Sequence, residues 1–206
     1  MLSYNSLYKE EIKRVAVFLL FILFLLFQGC AVKQESLILL KGDRIVYEKL
    51  SLKDKESIKK LYFVLKKLSP FVDEDEAKRL SRIAVLYPLY LSKKYELTYP
   101  PLFHNFLVNV HIKKRGLCYQ WVEDMLKYIK CSDFKSFDFH WGVANRGKIN
   151  EHNVIVVTAK GEPFESGVIL DAWRDSGTLF FSKVKEDKEY RFREWKSKSR
   201  IYGCIP

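Results

Sequence analysis

Three side chains of this sequence are of the right types, in the right local settings, for covalent acyl chemistry: Cys118, His152 and Asp171. Cys118 follows Arg115-Gly116-Leu117 and precedes the apolar series Trp121, Val122, Met125, Leu126 and Ile129, whose spacing predicts a helix from about Leu117 to Lys130. A thiol in the first turn of a helix sits at the positive end of the helix dipole, which favours thiolate. The backbone N–H groups of that turn are also available to an oxyanion, and Gly116 would let a substrate backbone approach. The same segment is compatible with a buried structural cysteine. His152 opens the apolar run Asn153–Thr158, and Asp171 lies near the end of the next run, Gly167–Ala172. Both runs read as strands. An antiparallel pair turning about Gly161-Glu162 sets His152 directly opposite Asp171, with Cβ atoms about 4.5–5.5 Å apart. The carboxylate would then fix one imidazole tautomer while the other ring nitrogen reaches the thiol. A one-residue slip would separate them onto opposite faces.

The elements that must hold these groups can be read from the rest of the chain. Ser51 caps a helix to about Leu68, with Ile58, Leu61, Tyr62, Leu65 and Leu68 on one face. Asp73 caps a second, burying Ala77, Leu80, Ile83, Ala84 and Tyr87, which Pro88 ends or kinks. Leu102–Ile112 reads as a short helix with Phe103, Phe106, Leu107 and Val110 inward. Strands are expected over Phe134–Val143, Asn153–Thr158 and Gly167–Ala172. Helices first and strands later predict an α+β fold, N-terminal helices packed on an antiparallel sheet.

The ordered set of Cys at a helix start, His at a strand start and Asp near the end of the following strand, separated by 34 and then 19 residues, resembles the transglutaminase-like group of papain-like cysteine enzymes. Gly116-Leu117-Cys118-Tyr119 is similar to the group's Gly-x-Cys-aromatic pattern, and Leu170-Asp171-Ala172-Trp173 to its hydrophobic-Asp-small-aromatic pattern. His152-Asn153-Val154 departs from it, since an aromatic commonly follows that histidine soon after. The resemblance covers about residues 100–180. It implies a thiol hydrolase or acyl transferase acting on amide bonds of peptides, proteins or cell-wall peptides, with Cys118 as nucleophile, His152 as base and Asp171 orienting it. The alternative is a catalytically inactive relative serving as a binding or assembly module.

His140, in Phe137-Asp138-Phe139-His140-Trp141, is the rival base, whereas His104 and His111 lie among apolar residues and read as structural. Trp121 and Trp173 read as core or pocket wall, Gln120 as a solvated helix residue, and Asn153 as a local donor or a surface residue. With no CxxC pair, no HExxH and no Gly-rich phosphate loop, neither a metal nor another cofactor is expected. Cys131 and Cys204 leave a disulfide open.

The N-terminus reads as an address. Lys9, Lys13 and Arg14 precede 13 apolar residues, Val15 to Phe27. That run is short of the roughly 20 residues that span a bilayer and suits the core of a signal peptide over 1–29. Phe27-Gln28-Gly29-Cys30 resembles the lipobox of bacterial lipoproteins. The resemblance implies a Cys30 acylated after cleavage, a lead segment over 30–50, and one domain over 51–206 held outside the inner membrane. Ala31 after the cysteine goes with transfer to an outer membrane where there is one. The net charge is +11, which favours anionic lipid or wall polymers as neighbours. No nucleic-acid motif is present, so peptide or protein substrates, cell wall and membrane are the expected partners.

Overall fold

The computed structural model describes residues 14, 15, 17, 36–41, 44–130 and 132–201. The proposed signal peptide, Cys30, Cys131 and Cys204 lie outside them, save for three helical residues at 14, 15 and 17. The chain divides into two units, Met1–Ala31 and Val32–Pro206. No helix among the described residues is long and apolar enough to cross a membrane.

The second unit is α+β. A hairpin of β1 (Leu37–Lys41) and β2 (Arg44–Lys49) leads into helices α1 (Leu52–Lys66), α2 (Glu74–Lys94), α3 (Pro101–Asn109) and α4 (Cys118–Lys130). Then come β3 (Phe137–Ala144), β4 (His152–Ala159), β5 (Val168–Asp175), β6 (Thr178–Lys183), the short β7 (Arg193–Glu194) and α5 (Lys196–Ile201). Strands β3 to β7 form an antiparallel five-stranded sheet in the order β6-β5-β4-β3-β7.

The helix caps follow the sequence chemistry. Ser51 accepts the Asp54 N–H and Asp73 accepts the Glu76 N–H, each satisfying a donor the helix itself cannot. Pro88 does not end α2, which continues to Lys94. Val85, Leu86, Leu89 and Leu91 are all buried on either side of it, so burial outweighs the roughly 3 kcal/mol that an interior proline costs. Within the expected lead segment, β1 and β2 pack with the folded unit: Ile38 joins the main core, and the Ser36 hydroxyl donates to Asp54 and accepts the Ser51 N–H.

Helix α3 is rotated from the expected face. His104 and Val108 point inward, while Phe106 and Val110 are exposed. The His104 ring fixes that rotation: it accepts the Thr98 N–H at 3.2 Å through Nδ1 and meets the Arg115 carbonyl at 2.9 Å through Nε2. His111 lies beyond the helix and is exposed.

Alternation splits the sheet between two cores. Trp141, Ile155, Val157, Val168 and Leu170 pack with α2 and α4 in the large one. Ala144, Val154, Val156, Ile169 and Phe164 build a smaller one on the opposite face, completed by Val184 and Phe192. The β4–β5 register corrects the expectation. Val157, not Ile155, faces Val168, and Ile155 faces Leu170, a displacement of two residues. The cause is the connecting loop, where a turn at Phe164–Ser166 tucks Phe164 into the smaller core. Gly167 then passes so close to β4 that a Cβ there would lie 2.5 Å from Val156. A slip of two preserves alternation, so His152 and Asp171 remain on one face.

Candidate active site

Three elements converge at one end of β4. Helix α4 begins with Cys118, β4 begins with His152, and β5 carries Asp171 to the same side of the sheet as His152. His152 and Asp171 are not directly opposite but diagonal, and the longer imidazole bridges the difference. His152 Nε2 meets Asp171 Oδ2 at 2.6 Å, and the two residues are 2% and 1% exposed. The other ring nitrogen, Nδ1, is buried and has no hydrogen-bond partner among the described residues.

The group next to that face of the ring is the half-buried Cys118 thiol. Burial disfavours the imidazolium, but the hydrogen bond and charge of Asp171, with the neighbouring Cys118 sulfur, prevail and raise the His152 pKa from 6.5 to about 9. The thiol acts on the ring without a formed bond to Nδ1. In this geometry Sγ instead contacts the Glu151 carbonyl at 3.8 Å and Asn153 Nδ2 at 3.7 Å.

Asp171 is held on every side. Its Oδ1 accepts the N–H groups of Trp173 and Arg174, both at 3.1 Å. A bulge in β5 between Asp171 and Asp175 turns those donors back toward the carboxylate. Its Oδ2 accepts Arg174 Nε at 3.0 Å besides His152. Arg174 Nη2 reaches Asp187 Oδ2 at 2.7 Å, and Asp187 Oδ1 accepts the N–H groups of Glu189 and Tyr190. That linkage sets Tyr190 against His152, with ring centroids 4.6 Å apart. Trp173 at 4.9 Å and Phe192 at 5.8 Å complete an aromatic wall around the imidazole. Such a wall keeps water from the ring.

The entry to α4 is equally constrained. Gln120, expected at the surface, is buried, and its Oε1 accepts the N–H groups of Gly116 at 2.7 Å and Leu117 at 3.0 Å. The N–H groups of Cys118 and Tyr119 then have no acceptor among the described residues. Gly116 is required by the protein itself rather than by an approaching substrate. Its φ is +133°, and a Cβ would stand 2.3 Å from His104 Nε2. The Gly116 carbonyl accepts Trp121 Nε1 at 3.0 Å, so Trp121 is core.

His140 is not at the thiol. It shares a sheet face with His152, but its two ring nitrogens are engaged by Glu194 at 2.9 Å and Thr158 at 3.0 Å. Asn153 is buried on the other face, accepting Trp141 Nε1 at 2.7 Å and donating to the Glu151 carboxylate at 3.0 Å. Arg174, Asp187 and Tyr190 escape sequence reasoning. Their proximity depends on the β5 bulge, for which hydrophobic alternation carries no signal, and only the Tyr190–Trp195 aromatic run hints at the wall. Among the described residues no group of His, Cys, Asp and Glu is arranged to hold a metal ion.

This arrangement offers a half-buried sulfur, a neighbouring imidazole fixed by a carboxylate, and backbone donors beside the sulfur with no acceptor among the described residues. Comparison of the chain with models of protein families, with curated proteins and with solved structures returned no match.

Proposed function

We propose that this chain is a transglutaminase-like thiol hydrolase or acyl transferase, tethered to the cell envelope through an acylated Cys30, that acts on amide bonds of peptides, proteins or cell-wall peptides. The observation that carries this reading is the division of His152: one ring nitrogen belongs to Asp171, and the other is kept free of every partner except the neighbouring Cys118. A merely structural histidine at this depth would have both nitrogens satisfied, as His140 and His104 do.

On this reading the proton of the Cys118 thiol passes to Nδ1. Sulfur adds to the amide carbonyl carbon, and the Cys118 N–H donates to the resulting oxyanion. The tetrahedral adduct collapses by expelling the amine, which takes its proton from His152, and leaves an acyl thioester. Water or a second amine, deprotonated by His152, then displaces the sulfur. Asp171 holds the ring throughout. A ring pKa near 9 suits the proton donor of the first half of the cycle at neutral pH. The unformed Nδ1–thiol bond fits a resting site that tightens with substrate. It equally favours the second reading, an inactive member of the same group used as a binding module.

Alkylation of Cys118 by iodoacetamide across pH separates the two. The catalytic reading expects a rapid, saturating reaction whose rate rises through an acidic midpoint and falls sharply in His152→Ala. Ordinary slow alkylation, identical in His152→Ala, leaves the binding module. Replacement of Cys30 by Ser is expected to abolish labelling with radioactive palmitate; unchanged labelling refutes the anchor.

A further inference from the structure

Away from the thiol, β2, α2 and the end of α4 enclose a groove of about 650 Å³, within the range of small-ligand sites. Its wall carries four cations, Arg44, Lys78, Arg79 and Arg82, against the single carboxylate of Asp75. Positions 75, 78, 79 and 82 recur at helical spacing, so α2 presents them as one stripe, and Arg44 closes the stripe from the start of β2. The Tyr128 ring and Ile83 give the groove an apolar floor.

The guanidinium groups of this wall, unlike its lysine, are not ion-paired among the described residues. Lys78 is paired, with Glu74 at 2.8 Å and Asp75 at 3.5 Å. Arg79 donates to the Asp133 carbonyl at 3.2 Å and lies 4.5 Å over the Phe134 ring; Arg82 lies 5.9 Å over Tyr47. Neither these two nor Arg44 forms an ion pair with a carboxylate among the described residues. Ring faces and a carbonyl hold a guanidinium in place while leaving its charge and most of its N–H fork available. Three like charges converging on one concavity repel one another unless an anion joins them, and a planar fork of donors matches phosphate oxygens.

We propose that this groove binds a phosphate-bearing anion. Two sources share that chemistry: a soluble phosphate compound and the headgroup of an anionic phospholipid. The second accords with the lipid-anchor reading, because Arg44 follows Cys30 by 14 residues, at most about 50 Å of extended chain.

The test uses the full chain in zwitterionic detergent micelles. The thermal unfolding midpoint is followed on titration with inorganic pyrophosphate, and separately as phosphatidylglycerol or phosphatidylcholine is added to the micelles. The proposal expects a rise with pyrophosphate or with phosphatidylglycerol but not with phosphatidylcholine; which anion works identifies the source. The paired change Arg44→Gln and Arg82→Gln, both on the surface, is expected to weaken the effect about tenfold or more, and adding Arg79→Gln to abolish it. The equal charge loss Lys185→Gln and Lys188→Gln leaves it unchanged. The proposal is overturned if neither anion raises the midpoint, or if the lysine pair weakens the response as much as the arginine pair. Neither result touches the thiol chemistry, because the alkylation rate of Cys118 is an independent readout.

Discussion

Arg174 offers the most demanding test of the site, because it touches neither the thiol nor the imidazole. It bridges two carboxylates, Asp171 at 3.0 Å and Asp187 at 2.7 Å, with its own side chain 13% exposed and those of the aspartates 1% and 0%. Its guanidinium also lies 4.0 Å over Phe180 and 5.1 Å over Tyr190. In Arg174→Gln the Asp187 carboxylate stays buried without its cation, and Asp171 keeps only the His152 ring as ionic partner. Removing one partner of a buried pair costs about 3–5 kcal/mol, a large part of the roughly 5–15 kcal/mol that holds a domain together. Urea denaturation is expected to show the midpoint falling with little change in slope. A second effect separates positioning from mere stability. With Arg174 gone, the charge of Asp171 acts on His152 undiminished, so the imidazole pKa moves further above about 9, and the alkaline limb of the Cys118 alkylation profile moves with it. Arg174→Lys keeps the charge without the two-pronged geometry and is expected to restore the limb better than it restores stability. A Gln variant with wild-type stability and an unmoved alkaline limb would refute the linkage from Asp187 through Arg174 to the imidazole.

Other expectations follow from single contacts. Because the folded-state pKa of His152 is raised, its stabilisation is complete below pH 6.5 and lost as pH climbs through about 9. The full shift corresponds to roughly 3 kcal/mol, and urea midpoints at pH 6 and pH 9.5 should differ in that direction. Cys118→Ala, which deletes one of the groups raising that pKa, is expected to lower it toward 6.5 in an NMR titration of the imidazole; an unchanged value would place the sulfur out of reach. Gln120→Ala leaves the Gly116 and Leu117 N–H groups without their acceptor, so a loss of roughly 1–3 kcal/mol is expected, with slower alkylation of Cys118. Gly116→Ala drives a methyl into the His104 ring at a φ of +133° and should cost far more in thermal stability than Gly147→Ala, which shares a positive φ but has nothing within 4 Å.

The helices were legible where one force dominates. Ser51 and Asp73 cap as their side chains dictate, and Trp121, Val122, Met125, Leu126 and Ile129 are all buried as their spacing requires. Local propensity misleads where tertiary contacts compete with it. Pro88 sits inside α2 because the core takes both of its flanks, and the polar ring of His104, not the phenylalanines, sets the rotation of α3 because two backbone segments, at Thr98 and at Arg115-Gly116, converge on it.

The pairing of His152 with Asp171 was legible for a different reason, which is parity. A turn about Gly161-Glu162 predicts a register two residues from the one the strands adopt, yet an even displacement leaves every side chain on its own face. An imidazole can then span the diagonal that remains. Arg174 and Asp187 had no such protection, since a bulge breaks alternation just beyond Asp171 and turns the chain where no periodic signal reaches. The bulge is therefore the feature on which the site's carboxylate depends. It aims the N–H groups of Trp173 and Arg174 at Asp171 and swings the guanidinium round behind it. A sequence that kept Cys118, His152 and Asp171 but ran β5 on as a regular strand would send residue 174 to the other face. It would retain the three side chains while losing the arrangement that holds the carboxylate still.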